Sequence, residues 1–283
     1  MKSRKQQSLY KKIAALALTM LVTASLTACS GGQTDPASDT IKLQAMPTKL
    51  SSFSGLVTEI KSMDNKVILK KAGKNVWIHT SYKSINGNKV PANGLIVQTK
   101  QGIVLLDATW SDKLAGQLVH MIESYFKQKV VLAIVTHAHE DRMGGVSGLI
   151  ERDIEVRSTD MTARLAKEAG YAEPNAFLDG EPQFMVGGTQ FEVFYPGEGH
   201  GKDNVVVWLP QTNTLFGGCL VLGQDAKALG NVADANMAEW PESLLRVKHK
   251  YGQAKLVVPG HGKWGNAGLL NRSIELVSKS NNT

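Results

Sequence analysis

Apolar residues in this chain gather in short blocks separated by polar, glycine-rich segments. Val130-Val-Leu-Ala-Ile-Val135 is the clearest block, six apolar residues without a break, and it reads as a buried strand. Blocks at 56–60, 66–69, 76–80, 95–99, 103–107, 154–158, 191–195, 205–209, 214–216 and 256–258 predict further strands. After Ser111, a candidate N-cap, the period changes: Leu114, Leu118, Met121, Ile122 and Tyr125 recur at helical spacing and are expected to face the core. Two more helices are expected over 161–169, ended by Gly170, and over 240–251, with Pro241 in the first turn. Lys100-Gln-Gly102 reads as a hairpin turn, and residues 82–90 around Asn86-Gly87 as a polar hairpin loop. Strands and helices alternate in two blocks, so the fold class is α/β, with helices layered outside sheets.

The first 28 residues stand apart from this pattern. Lys2, Arg4, Lys5, Lys11 and Lys12 precede an apolar run over 13–28, too short to span a bilayer comfortably. The run ends in Leu26-Thr-Ala-Cys29-Ser, which resembles a bacterial lipobox; ordinary cleavage near Ala28 is the alternative. Residues 1–28 are therefore expected to be a lipoprotein signal peptide. Residues 29–47, rich in Ser, Gly, Thr, Asp and Pro, are expected to be a flexible tether, and 48–283 the folded domain.

This division changes the meaning of the charge. The whole chain carries 32 basic and 25 acidic residues, a net +7, but five of the basic and none of the acidic residues lie in the leader. The remaining +2 gives no support to nucleic-acid binding. Cysteine usage points the same way as the leader. The two cysteines are Cys29 and Cys219. If Cys29 carries the lipid, Cys219 has no disulfide partner, and a lone thiol in an oxidising compartment is protected by a metal or by burial.

The candidate chemistry sits where the apolar blocks end. His137-Ala-His139-Glu140-Asp141 follows the 130–135 block, His200 sits in a glycine-rich turn, Cys219 follows Phe216-Gly-Gly, and His261 follows Val258-Pro-Gly. Alternate residues of an extended segment point the same way, so His137 and His139 can share one ion and Asp141 can reach a second. Imidazole, carboxylate and thiolate are all zinc ligands. His79, His120 and His249 lie inside strand-like or helical patterns and read as structural or solvated.

This set resembles the di-zinc enzymes of the first subclass of class B metallo-β-lactamases over roughly residues 50–275. The matching stretches are Asn93-Gly-Leu-Ile-Val, Leu106-Asp-Ala-Thr-Trp110, Thr136-His-Ala-His-Glu-Asp-Arg-Met-Gly-Gly145, Gly199-His200, Gly217-Gly-Cys219-Leu-Val, Leu229-Gly-Asn-Val-Ala-Asp-Ala235 and Pro259-Gly-His261-Gly. The wider superfamily commonly has His-x-His-x-Asp-His; here Arg142 stands at the last position and Cys219 supplies a soft ligand.

The resemblance implies a four-layer αββα sandwich and two zinc ions per chain. His137, His139 and His200 would hold the first, and Asp141, Cys219 and His261 the second. It implies hydrolysis of the β-lactam ring of penicillins, cephalosporins and carbapenems by a hydroxide that the metals make available, with Asp141 orienting the water and Asn231 hydrogen-bonding the carbonyl oxygen. Asp107 is a candidate anchor behind the site. Ile85 and Val90 would touch substrate from a mobile hairpin. Trp110 would line the site or pack in the core.

Related enzymes often carry Lys three residues after the Cys ligand, to pair the substrate carboxylate. Leu222 stands there instead, with Lys227 as a substitute or a solvated loop charge. Two other readings stay open: a di-zinc hydrolase of another ester, thioester or lactone, and a non-catalytic zinc-binding lipoprotein. The expected setting is the periplasm of a Gram-negative bacterium, where a monomer is lipid-anchored at Cys29, most simply to the outer membrane because Ser30 is not Asp.

Overall fold

The computed structural model describes residues 57–281. The expected leader, the tether and Cys29 lie outside the described residues. Within them one sheet has eight strands in chain order: β1 (Glu59–Lys61), β2 (Val67–Gly73), β3 (Val76–Ile85), β4 (Asn88–Gln98), β5 (Ile103–Leu106), β6 (Val130–Ile134), β7 (Glu155–Ser158) and β8 (Asn175–Ala176). Its first five strands pair antiparallel; from β5 onward the pairs are parallel. A second sheet runs in the order β13 (Leu256–Pro259), β12 (Thr214–Gly218), β11 (Val206–Leu209), β10 (Thr189–Phe194), β9 (Gln183–Val186). It is antiparallel except for the parallel pair β12/β13. The helices are α1 (Asp112–Phe126), α2 (Glu140–Met143), α3 (Val146–Ile150), α4 (Asp160–Glu168), α5 (Trp240–Tyr251) and α6 (Gly268–Asn281).

Side-chain alternation along the strands builds the layers. In the first sheet Trp77, Ile96 and Leu105 pack with Leu114, Leu118 and Ile122 of α1 and with Val146 and Leu149 of α3. Their neighbours Ile78, Leu95, Val97, Val104 and Leu106 point to the other face and meet Phe191, Val193, Val207, Phe216 and Val258 of the second sheet. The outer face of that sheet, with Val206, Trp208, Leu215 and Val257, packs on Leu244 and Val247 of α5 and on Leu270 and Val277 of α6. Three apolar cores therefore separate four layers, and the chain forms an αββα sandwich.

Several expectations need correction. The 82–90 stretch is not a loop: β3 and β4 continue in register to Ile85 and Asn88, leaving only Asn86 and Gly87 as a turn, both at positive φ. Tyr125 is not in the core. It is 40% exposed and meets Trp77 edge-on, while Ala115 and Val119 complete the buried stripe and Met121 is only partly buried. The Ser111 hydroxyl does cap α1, accepting from the Leu114 N–H at 3.4 Å. Helix α6 carried no expectation, because a buried serine, Ser273, interrupts its apolar stripe; Ser273 satisfies itself on the Leu269 carbonyl at 2.7 Å.

One close approach fixes the middle of the first sheet. His79 is fully buried opposite Gly94, and burial, with Arg142 nearby, lowers its pKa to about 4, so it is a neutral core residue. A Cβ at position 94 would lie 2.2 Å from His79 Nε2 and 2.4 Å from the Leu106 carbonyl oxygen. The carbonyl belongs to the β4/β5 pairing and cannot swing away. Gly94→Ala is expected to destabilise the fold by about 1–3 kcal/mol through overpacking. An unchanged urea-unfolding midpoint would contradict this packing.

Candidate metal centre

The parallel pairs of the two sheets, β5/β6 and β12/β13, deliver their carboxyl ends to one rim, and the candidate donors leave from there. His137, His139 and Asp141 follow β6; Cys219 follows β12; His261 follows β13; His200 sits in the turn before β11. The turn at Cys219 needs glycine. The β12/β13 register shifts between Phe216 and Gly218, and Gly218 has φ +52°, so the chain bends and aims Cys219 inward. The helical turn α2 places Asp141 and Arg142 on the floor of the site, both buried.

His137, His139 and His200 bring their nitrogens within 4.8 Å of one another. Their rings stand nearly perpendicular in pairs, with centroids 4.7–5.2 Å apart. His139 Nδ1 lies 3.1 Å from His200 Nε2, and His139 Nε2 is held at 3.1 Å by Asp234 Oδ2. His137 Nε2 is buried with no hydrogen-bond partner among the described residues. Burial and the neighbouring imidazoles push His137 well below its ordinary pKa and His200 to about 3. Both are thus held neutral, the form that offers a lone pair.

Beside this trio, His137, Asp141 and Cys219 form a second group within the same limit. His261 joins it through Asp141, with Nε2 at 3.0 Å from Oδ2, while its Nδ1–H donates to the Pro91 carbonyl and fixes the ring. Burial alone would lower the His261 pKa, but the charges of Cys219 and Asp141 outweigh it and raise it to about 10. Asp141 shows the reverse balance: burial opposes its charge, yet Arg142 and His261 hold its pKa well below the usual range. This group therefore draws positive charge. The expected second set is brought together, with His137 shared between the two groups.

Sequence reasoning named Asp107 as an anchor behind the site but missed the other residues that hold the donors in place. Arg142 is fully buried. Its Nε and Nη2 donate to Asp141 Oδ2 at 3.0 and 2.7 Å, and Nη2 also to the Gly260 carbonyl at 2.9 Å and to Cys219 Sγ at 3.3 Å. Its Nη1 donates to Asp107 Oδ2 at 3.1 Å and to the Asn93 carbonyl. Asp107, at φ +62°, also accepts from Thr136 N–H and Oγ1 at 2.8 and 2.9 Å, and burial raises its pKa to about 6 against the pull of Arg142. Asp203 accepts from the Ala138 N–H at 2.9 Å, between the two histidines. Asp203 carried no signal in the sequence beyond its residue type, and Asp234 lies in the matching stretch 229–235 but was given no role there. Of the remaining histidines, His120 and His249 are exposed on helices.

A cavity of about 620 Å³ opens over the donors. Ile85, Val90, Trp110 and Asn231 line it, together with Val221, Leu222 and Leu229. Trp110 serves both expected roles, since it also packs against the first core, and its ring lies 6.3 Å from that of His261. Lys227 is exposed and does not line the cavity; its neighbours Ala226 and Ala228 do. Leu222 is buried in the third core.

Residues 87–261 match the family described as the metallo-beta-lactamase superfamily. The chain is 47% identical over 218 residues to a metallo-beta-lactamase type 2 of Bacillus sp. (strain 170), covering 77% of this chain and 85% of that one. It is 44% identical over 245 residues to the metallo-beta-lactamase type 2 of Bacillus cereus, covering 84% and 95%. Among solved structures, a metallo-beta-lactamase from Pontibacter korlensis superposes with TM-score 0.73 at 42% identity, covering 75% of this chain and 99% of that one.

Arg142→Ala should remove the cation shared by buried Asp107, Asp141 and Cys219. A loss of about 3–5 kcal/mol is expected, because breaking a buried ion pair leaves charge behind without its partner. Urea unfolding measures it, and zinc content after dialysis should fall in parallel. Arg142→Lys should rescue only part, since one ammonium cannot replace the fork.

Proposed function

The chain belongs to the metallo-beta-lactamase superfamily, and from that membership we propose that it hydrolyses the β-lactam ring of penicillins, cephalosporins and carbapenems, and so confers resistance. The observation that carries the reading is the convergence of six zinc-type donors beneath a cavity of about 620 Å³, with buried His137 Nε2 lacking a hydrogen-bond partner among the described residues. The donor set fits zinc: neutral imidazoles, a carboxylate and a thiol at one rim. His137, His139 and His200 would hold one ion, and Asp141, Cys219 and His261 the other. Bound zinc supplies Lewis acidity, which lowers the pKa of water and offsets negative charge on the reacting oxygen and nitrogen.

The chain's own residues arrange the rest. Among the described residues the side-chain hydrogen bonds of Asp141 fall on Oδ2, from Arg142, His261 and Cys219, which leaves Oδ1 to orient the attacking water. Asn231 Oδ1 accepts from the Ala233 N–H at 3.2 Å. That bond fixes the amide and leaves Nδ2 free to donate to the lactam carbonyl oxygen as charge develops there. Asp234 orients His139, and the Pro91 carbonyl orients His261. Ile85 and Val90 present apolar side chains at the tip of the β3/β4 ribbon, and Trp110 extends that surface. They suit the apolar flank of a bicyclic lactam.

We infer that the protein works as a monomer in the periplasm, tethered through a lipidated Cys29 to the outer membrane. The basic start, the short apolar run and the Leu26-Thr-Ala-Cys29-Ser sequence support this reading. Cys29→Ala should release the protein from the membrane fraction, since each buried CH₂ of an acyl chain contributes about 0.8 kcal/mol. If wild type and variant both fractionate as soluble, the anchor is wrong.

The enzymatic reading has a direct test. Purified protein is expected to retain two zinc equivalents and to turn over a chromogenic cephalosporin. Chelation should abolish the activity and added zinc should restore it. Full activity at one equivalent would force a one-metal scheme. No turnover at two equivalents would overturn β-lactam hydrolysis.

A further inference from the structure

Among the described residues no lysine or arginine lines the cavity, although a β-lactam of the fused-ring classes brings a carboxylate into it. The wall that follows Cys219 is made of Val221, Leu222, Gly223, Asp225, Ala226 and Ala228. Three carboxylates line the cavity, and they differ in what neutralises them. Asp141 is paired with Arg142 and His261. Glu140 is paired with Lys83 from β3, whose ammonium also lies 5.6 Å from the Trp110 ring. Asp225 has no ion pair among the described residues.

Asp225 is nonetheless held in place. Its Oδ1 accepts from the Lys263 N–H at 2.8 Å, and a Cβ at Gly262 would come 2.5 Å from that oxygen. The carboxylate therefore sits where the loop after Cys219 meets the loop after His261. Leu222 beside it is only 7% exposed, and its backbone N–H is fixed by Ser273 Oγ at 2.9 Å, so the segment cannot easily rotate to present another group. The wall is apolar with one fixed negative charge.

We propose that Asp225 is a specificity-determining residue, which favours β-lactams carrying a cationic substituent on the second ring and disfavours those carrying an additional anion there. The proposal rests on the β-lactam reading above and names the substrate charge the same cavity selects. Asp225 is exposed, so the effect is that of a screened charge at several ångströms: a preference of about threefold to tenfold at low ionic strength, shrinking as salt shortens the screening length. It acts on capture of the substrate and is expected in KM more than in kcat.

The test compares two cephalosporins with the same acyl group, one bearing a quaternary ammonium at the 3-position and one a neutral group of similar size. The zinc-loaded full-length protein and its variants are measured at low and high salt. Intrinsic reactivity differs between the two compounds, so the quantity read is the ratio of kcat/KM, cationic over neutral, in wild type relative to Asp225→Asn. Asparagine keeps the oxygen that accepts from Lys263 N–H and removes the charge. The wild-type ratio is expected to exceed the D225N ratio about threefold to tenfold at low salt and to approach it at high salt. Asp225→Glu should retain the preference, and Asp225→Lys should reverse it. Equal ratios in wild type and D225N, with both compounds turned over, would overturn the assignment to Asp225 and leave β-lactam hydrolysis standing. No turnover of either compound by wild type would overturn the hydrolytic reading, and this assignment with it.

Discussion

A guanidinium buried to zero exposure must be surrounded by acceptors, and in this protein that demand organises the active rim. Arg142 spends its donors on Asp141, Asp107, Cys219 and the carbonyls of Asn93 and Gly260. Those partners come from β4, the end of β5, α2, the turn after β12 and the end of β13. A lysine could reach one or two of them; the planar fork reaches all five at once. Burying an ion pair is no guarantee of net stability, because desolvation offsets much of the attraction. What the arrangement does secure is position. Asp141 cannot leave Arg142 without abandoning a buried charge, so two donors of the site, Asp141 and Cys219, are tied to one rigid group.

The same arrangement sets the electrostatics. Asp107 and Asp141 supply two carboxylates to the floor and Arg142 supplies one cation, so the floor favours further positive charge. At His261 the charge of Cys219, with that of Asp141, adds to this preference and raises the pKa to about 10. On the other side of His137 the balance is opposite: three imidazoles crowd together, and burial keeps His137 and His200 neutral. One end of the cluster thus offers neutral nitrogen lone pairs and the other offers anionic ligands. A pair of divalent cations satisfies both ends, and the buried His137 Nε2, without a partner among the described residues, belongs to both groups.

The donors were legible in the sequence because they follow apolar blocks or, for His200, sit in a glycine-rich turn before one, and strand ends are where an α/β fold gathers its chemistry. The layered fold was legible for the same reason, since the period switches from strand to helix after Ser111. What stayed hidden depends on contacts far apart in the chain. Nothing near Arg142 announces that it will touch Asn93 and Gly260, 49 and 118 residues away. Asp234 lies 95 residues from His139 and reads locally as a loop acid. The tip of the β3/β4 ribbon looked like a loop because its residues are polar and exposed on both faces. Its strands persist because backbone pairing and the Asn86-Gly87 turn suffice there. Tyr125 fitted the apolar period of α1 but lies at its end, where it meets Trp77 and Phe126 edge-on and stays 40% exposed.

Three donors, His137, His139 and Asp141, leave the first sheet, and three, His200, Cys219 and His261, leave the second. Any relative shift of the two sheets would pull the set apart, so the sheets must be locked at this rim by something other than the metal. Asn93 does this. Its backbone N–H donates to the Gly260 carbonyl at 2.8 Å, and its Nδ2 donates to the carbonyls of Pro259 and Gly262 at 3.1 and 2.9 Å. Thr80 fixes the amide by donating to its Oδ1 at 2.9 Å. One buried side chain of β4 thereby grips both flanks of His261, while Arg142 grips Gly260 from beneath. A site preorganised in this way does not have to be assembled by the ions it binds, so their affinity need not be spent on aligning two sheets.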